Sequence, residues 1–377
     1  MQNSKKQNNK FSSEKEVYSI LGLPFDALTQ QQAIDAVIFA IEHKQRCFLT
    51  TPNLNFLITA QQDDAFYQSV IDSDLNIADG MPIVWIAKLL GIPIKERVAG
   101  SDLFAGLSKL KGRDKKISVF FFGGQEGIAA RASTQLNASS EGMISCGFHD
   151  PGFVSVDEMS SEQVIEKINQ ANPDFLVVAL GAKKGQDWIQ KNRHQLNVPI
   201  ISHLGAVINF VAGHVERAPL FWQRSGFEWL WRIKQEPDLW KRYFFDGLAF
   251  VRLLTCKVLP LAIYDRYLKC HVCFEGSLEI SLSPASTQII VLEGSAHHDK
   301  LGVVKAFFED TLKAKDGDII LDCSQLSYID GAFIGLLLVF QRFLKDQGQQ
   351  LFLQNVSKRV MRILCFNNVL NRFQFMA

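Results

Sequence analysis

The stretch Ile117-Ser118-Val119-Phe120-Phe121-Phe122-Gly123-Gly124 decides the fold. Its apolar run is short, rich in β-branched and aromatic residues, and halted by paired glycines, so it predicts a buried strand that ends in a turn. Three more runs share this character: Cys47–Thr51, Phe175–Leu180 stopping at Gly181, and Ile200–His203 followed by Gly205. Helical patterning separates the runs through the first 210 residues. Such alternation predicts an α/β domain on a largely parallel sheet. Ligands of open α/β sheets bind in loops at the carboxyl ends of the strands, so the glycine-bearing loops are the first candidates for a site.

With 377 residues, the chain has room for two domains that each bury a core. Hydrophobic residues at 47% against 21% charged exclude a disordered chain, and a formal charge of +1 gives no reason to expect nucleic acid. The seven cysteines are odd in number and scattered, which suits a reducing compartment. Cys270 and Cys273 form a CxxC that no second pair completes, and they are read as structural. Residues 1–15 are polar and predict a disordered tail, with no apolar secretory segment following. Phe244 to Tyr264 is the most apolar long stretch. Asp246, Arg252, Lys257 and Pro260 interrupt it, and the reading is that it does not cross a membrane.

Residues 217–269 have a different texture. Ten Lys or Arg stand against five Asp or Glu, and four of the six tryptophans (Trp222, Trp229, Trp231, Trp240) fall here. At helical spacing Phe244, Leu248, Val251, Leu254, Val258 and Leu261 share one arc. A basic, tryptophan-rich amphipathic segment predicts a membrane surface with anionic headgroups; the bland alternative is a helical hairpin packed on the sheet. From about Ser277 the pattern restarts. Strands at Gln288–Leu292, Ile319–Cys323 and Leu351–Gln354 alternate with helices near 301–313, 332–347 and 357–366, a second compact domain. The expected division is therefore 1–15 tail, 16–216 α/β domain, 217–269 membrane-proximal helical segment and 270–377 C-terminal domain.

Four segments together resemble the WecG/TagA/CpsF glycosyltransferase family. They are Thr51-Pro52-Asn53; Ala78-Asp79-Gly80-Met81-Pro82 through Glu96-Arg97 to Gly100-Ser101-Asp102; the turn ending at Gly124; and Glu216-Arg217-Ala218-Pro219 through Phe227-Glu228-Trp229-Leu230-Trp231-Arg232 to Arg242-Tyr243. The resemblance implies a Rossmann-like inverting transferase, with no required metal, that moves a sugar from a UDP-sugar to a polyprenyl-diphosphate-linked sugar. It implies a place in exopolysaccharide or cell-envelope polysaccharide synthesis. It also implies peripheral attachment to the cytoplasmic face of the inner membrane. Inversion by single displacement needs a carboxylate to take the acceptor hydroxyl proton, and Asp79 is assigned that role with Thr51 beside it. Its competing reading is a cap for the helix that begins near Pro82. Asn53, Arg97, Asp102, Gly181, Lys184, Gln186, Arg217, Arg232 and Arg242 are the expected donor- and acceptor-binding residues, the arginines because guanidinium holds diphosphate through paired charged hydrogen bonds.

The chain departs from that family at two places. Where the family has Gly-x-Pro-Lys-Gln-Glu-x-Trp, this chain reads Gly181-Ala182-Lys183-Lys184-Gly185-Gln186-Asp187-Trp188, and Asp238 stands where a basic residue is expected. The departure motivates a second hypothesis, a catalytically decayed scaffold. A nucleotide-binding oxidoreductase rests only on Gly123-Gly124-x-x-Gly127, which lacks the dinucleotide fingerprint. The C-terminal domain resembles a STAS domain through Ile319–Ser324 and Ile329-Asp330-Gly331-Ala332. Gly331 and Ala332 replace the hydroxyls that phosphorylated relatives carry. The domain is thus expected to dock a protein partner, or the transferase domain, without a phosphorylation switch.

Overall fold

The computed structural model describes residues 16–271, 278–283, 286–314 and 317–376. The expected tail at 1–15 and Cys273 lie outside them. Strands in chain order are β1 (Val17–Ile20), β2 (Leu23–Asp26), β3 (Cys47–Thr50), β4 (Leu75–Asn76), β5 (Ile117–Gly123), β6 (Met143–His149), β7 (Phe175–Ala179), β8 (Ile200–His203), β9 (Glu279–Ser283), β10 (Ser286–Ala296), β11 (Ile319–Ile329), β12 (Leu351–Gln354) and β13 (Gln374–Met376). The chain divides into two compact units: Ala27–Leu253, and residues up to Asp26 together with those from Leu254 onward.

The first unit is built on a six-stranded sheet in the order β4-β3-β8-β7-β5-β6, with every pair parallel. Alternate residues of each strand feed opposite faces. Leu49, Val119, Phe121, Phe175, Val177 and Ile200 pack under the helices Gln30–Glu42, Gly100–Ser108 and Ile128–Ser139. Phe48, Phe120, Phe122, Leu176, Val178 and Ile201 pack under Glu162–Ala171 and Ala182–Asn192. Burial on both faces is why these strands read as unbroken apolar runs. Trp188 is wholly buried, stacked 4.3 Å from Phe122, with its indole N–H donating to the Met159 carbonyl. The four expected strands are present. Strand β6 was not foreseen, because at the sheet edge only Met143 is buried and Met-Ile-Ser-Cys-Gly-Phe-His carries no apolar run.

In the second unit the sheet runs β13-β12-β11-β10-β9, parallel except for the antiparallel edge pair β10–β9. Helices Leu301–Ala314, Gly331–Asp346 and Lys358–Phe366 match the expected three. The boundary at residue 16 differs from the sequence reading. The β1–β2 hairpin belongs with this second unit, where it packs on the helix Gly331–Asp346. Gly335 makes this possible: a Cβ there would lie 2.7 Å from the Val17 carbonyl oxygen. Asp330 caps the helix, accepting from Phe333 N and His298 N at 2.8 Å each, and Tyr18 Oη meets His298 Nδ1 at 2.7 Å. Ala332 is 1% exposed.

Gly335→Val is expected to destabilise this unit by about 1–3 kcal/mol through overpacking against the hairpin. Gly302→Ala, on an exposed helix position with nothing within 4 Å, is expected to be neutral or slightly stabilising. Denaturant unfolding of both variants checks the contrast, and equal midpoints would show that the close approach carries no energy.

Residues Pro237–His271 are helical throughout, and by length and composition this is the one stretch among the described residues able to cross a membrane. The single apolar arc expected on it is not seen. Phe244, Leu248 and Val251 are exposed in the first unit, whereas Val258 and Leu261 are buried in the second. A π-helical turn, Leu254–Val258, lies between the two sets in the chain.

Candidate active site

A cavity of about 1230 Å³ opens at the carboxyl ends of β3, β5, β7 and β8 within the first unit. Among the expected residues, Thr51, Asn53, Asp79, Arg97, Gly181, Lys184, Arg232 and Arg242 line it. Among the helices that begin in its wall are Met81–Leu89 after Gly80, Gly100–Ser108 after Ala99, and Ala182–Asn192 after Gly181. Their first N–H groups lack helical partners and carry the positive dipole end, which favours an anionic ligand. No single motif revealed this convergence, since it depends on strand order.

Asp79 follows β4, and its N–H donates to the Pro52 carbonyl at 3.1 Å. The capping role is not what the structure shows, for Gly80 occupies the N-cap of Met81–Leu89 and no side chain caps it. Burial pushes the Asp79 carboxyl up to about 6; Arg97 opposes that rise, while Glu228 and Asp102 add to it. Although protein atoms surround it on most sides, the group stays reachable from the cavity. A carboxylate titrating near neutrality, close to a fixed guanidinium, has the properties of a general base.

Arg97 sits between two carboxylates, bonding Asp102 at 3.0 Å and also Glu228. Asp102 in turn holds Arg217, whose guanidinium also reaches Ser101 Oγ at 3.3 Å. Asp102 and Arg217 therefore do not line the cavity; they brace Arg97 from behind. Glu228, to which the sequence alone assigns no role, does line it. Asn53 caps the helix Leu54–Ala60 through Phe56 N at 3.2 Å while also facing the cavity. Lys184 donates to the Val154 carbonyl, tying down the loop that carries Gly152 and the 94%-exposed Phe153 at the cavity rim.

Gln186, expected among the binding residues, is instead fully buried, amide included, and does not line the cavity. Sequence reasoning also passed over His203, at the end of β8, which does line it. The far side of the cavity is aromatic: Trp85, Trp229, Trp240, Tyr243, Phe244 and Phe250. Among the described residues no group of three or more His, Cys, Asp or Glu is placed to hold a metal ion.

The geometry agrees with comparisons to known proteins. Residues 18–262 match the model of the WecG/TagA/CpsF glycosyl transferase family, and residues 282–369 match a STAS domain of the Mlab type. A Bacillus spizizenii N-acetylglucosaminyldiphosphoundecaprenol N-acetyl-beta-D-mannosaminyltransferase is 31% identical over 210 residues, covering 54% of this chain and 79% of that protein. The Bacillus subtilis protein of the same name is 26% identical over 202 residues, 54% and 77% of the two chains. A Staphylococcus aureus one is 24% identical over 225 residues, 59% and 85%. Neither the cavity nor these relatives favour the scaffold alternative.

Proposed function

Since this chain belongs to the WecG/TagA/CpsF family and is a glycosyltransferase with a C-terminal STAS domain, we propose that it transfers an N-acetylhexosaminyl group from a UDP-sugar to a polyprenyl-diphosphate-linked sugar. The observation that carries this reading is the Asp79 carboxylate on the wall of a cavity that also presents Arg97, Lys184, Arg232 and three helix N-termini. Asp79 takes the proton of the acceptor hydroxyl as that oxygen attacks the anomeric carbon. The bond to the UDP oxygen breaks on the opposite face, so the configuration inverts. The departing diphosphate charge is met by the cationic side chains and helix N-termini. The aromatic side receives the acceptor's sugar and the first part of its lipid. Release of UDP from a panel of UDP-sugars, with a short lipid-diphosphate acceptor and EDTA present, tests the reading. Turnover in EDTA is expected, and turnover only after adding a divalent ion would overturn the metal-free part.

We propose that the reaction takes place at the cytoplasmic face of the inner membrane, a reading supported by the lipid-linked acceptor in the relatives' names, with peripheral attachment through the exposed aromatic residues of 220–251. Phe221 (76% exposed) and Phe245 (65% exposed) stand outside the cavity wall among basic neighbours. Phe221→Asp with Phe245→Asp is expected to reduce flotation with anionic liposomes by at least about tenfold, because each buried aromatic side chain contributes about 1.5–3 kcal/mol. Unchanged flotation would rule out attachment by this surface. The STAS domain is proposed to dock a protein without a phosphorylation switch. The absence of a switch is supported by the helix Gly331–Asp346, whose start carries no hydroxyl and which is packed against the β1–β2 hairpin.

A further inference from the structure

His203 ends β8 in the cavity wall, 9% exposed, with Nε2 buried and no hydrogen-bond partner among the described residues. The ring lies against the helix Ala182–Asn192 where that helix has a glycine: a Cβ on Gly185 would sit 2.3 Å from His203 Cδ2 and 3.2 Å from Nε2. A second glycine, Gly205, gives the ring its other side, at 3.3 Å from Nε2. The two features belong together. A side chain at 185 and the imidazole in this place exclude one another. A buried polar nitrogen without a partner costs free energy, so its presence calls for an occupant of the cavity that supplies one.

We propose that His203, admitted by Gly185, is a donor-binding residue that hydrogen-bonds a neutral polar group of the UDP-sugar, a hydroxyl or an amide of its nucleoside or its sugar. The inference rests on the donor reading above and names a donor-contacting residue that fits only because position 185 has no side chain. Burial pushes the imidazole down to about 4, so at neutral pH the ring is uncharged and unsuited to pairing with the diphosphate. That task stays with Arg97, Lys184 and Arg232.

The test is calorimetry on the full chain with two probes, UDP and UDP-N-acetylmannosamine, together with steady-state kinetics. His203→Ala is expected to weaken binding about 5- to 20-fold, the loss of one buried hydrogen bond. Donor KM should rise by a similar factor while kcat changes less than about threefold, and His203→Gln should recover most of the affinity. Loss with both probes assigns the contact to the nucleoside; loss with the sugar nucleotide alone assigns it to the sugar. Gly185→Ala is the second variant, since its methyl must displace the ring while leaving the helix intact, and it should weaken binding in parallel. Folded variants that bind both probes as wild type does would overturn the role of His203 and leave the donor reading standing. Wild-type protein that binds neither probe and releases no UDP would overturn both.

Discussion

Asp79→Asn is expected to lower sugar transfer by about 10²–10⁴-fold while donor binding stays within a few-fold of wild type. The amide keeps the shape of the carboxylate and removes the proton acceptor. The wild-type rate should fall as pH drops through about 6, where Asp79 takes up its proton, and the residual rate of the variant should lack that limb. Stability carries an independent sign. A carboxyl whose folded value is raised loses stability as pH climbs from its unfolded value, near 4, through 6. The variant cannot ionise, so above pH 7 it should be at least as stable as wild type. The gain is at most about 3 kcal/mol, and less because the group meets a solvated cavity. The difference should vanish below pH 4. A variant with wild-type turnover would remove Asp79 from the base role, and one destabilised at every pH would make it a structural residue.

Arg97→Ala should have the next largest effect. Its side chain is 12% exposed between Asp102 and Glu228, at 19% and 22%, so its loss leaves Glu228 facing Asp79 without the cation. Breaking such a partly buried pair is expected to cost about 2–3 kcal/mol, at the lower edge of fully buried cases. Loss of charged hydrogen bonds to the diphosphate should lower kcat/KM by at least about 10²-fold. The diagnostic readout is the pH profile. Arg97 holds the Asp79 carboxyl down, so the acid limb should move above 6 in the alanine variant and stay near 6 in Arg97→Lys. Glu228→Gln should move it the other way, since Glu228 raises Asp79. Acid limbs that coincide in all four proteins would show that Arg97 and Glu228 do not act on the titrating group.

The strands were legible because burial on both sheet faces leaves apolar runs such as Phe175–Ala179 that end at glycines. The edge strand Met143–His149 was not, since only one of its residues is fully buried and the selection that writes a pattern is weak there. The C-terminal domain was legible for the same reason as the central strands. Its partner hairpin was not, because Val17 and Gly335 are distant in sequence and nothing in either local pattern predicts their contact.

By itself the sequence determined the parallel α/β frame, the second domain and the kinship that singled out Asp79, Thr51 and Arg97. Those features are written locally, as alternation of apolar runs and as short motifs in order. Only the tertiary structure decided which of the named residues meet. It set Asp102 and Arg217 behind Arg97, buried Gln186 away from the cavity, brought Glu228 against Arg97 and placed His203 in the space beside Gly185. Strand order and helix packing fix these distances, and both depend on contacts between residues far apart in the chain, whose side chains carry no mark of their neighbours.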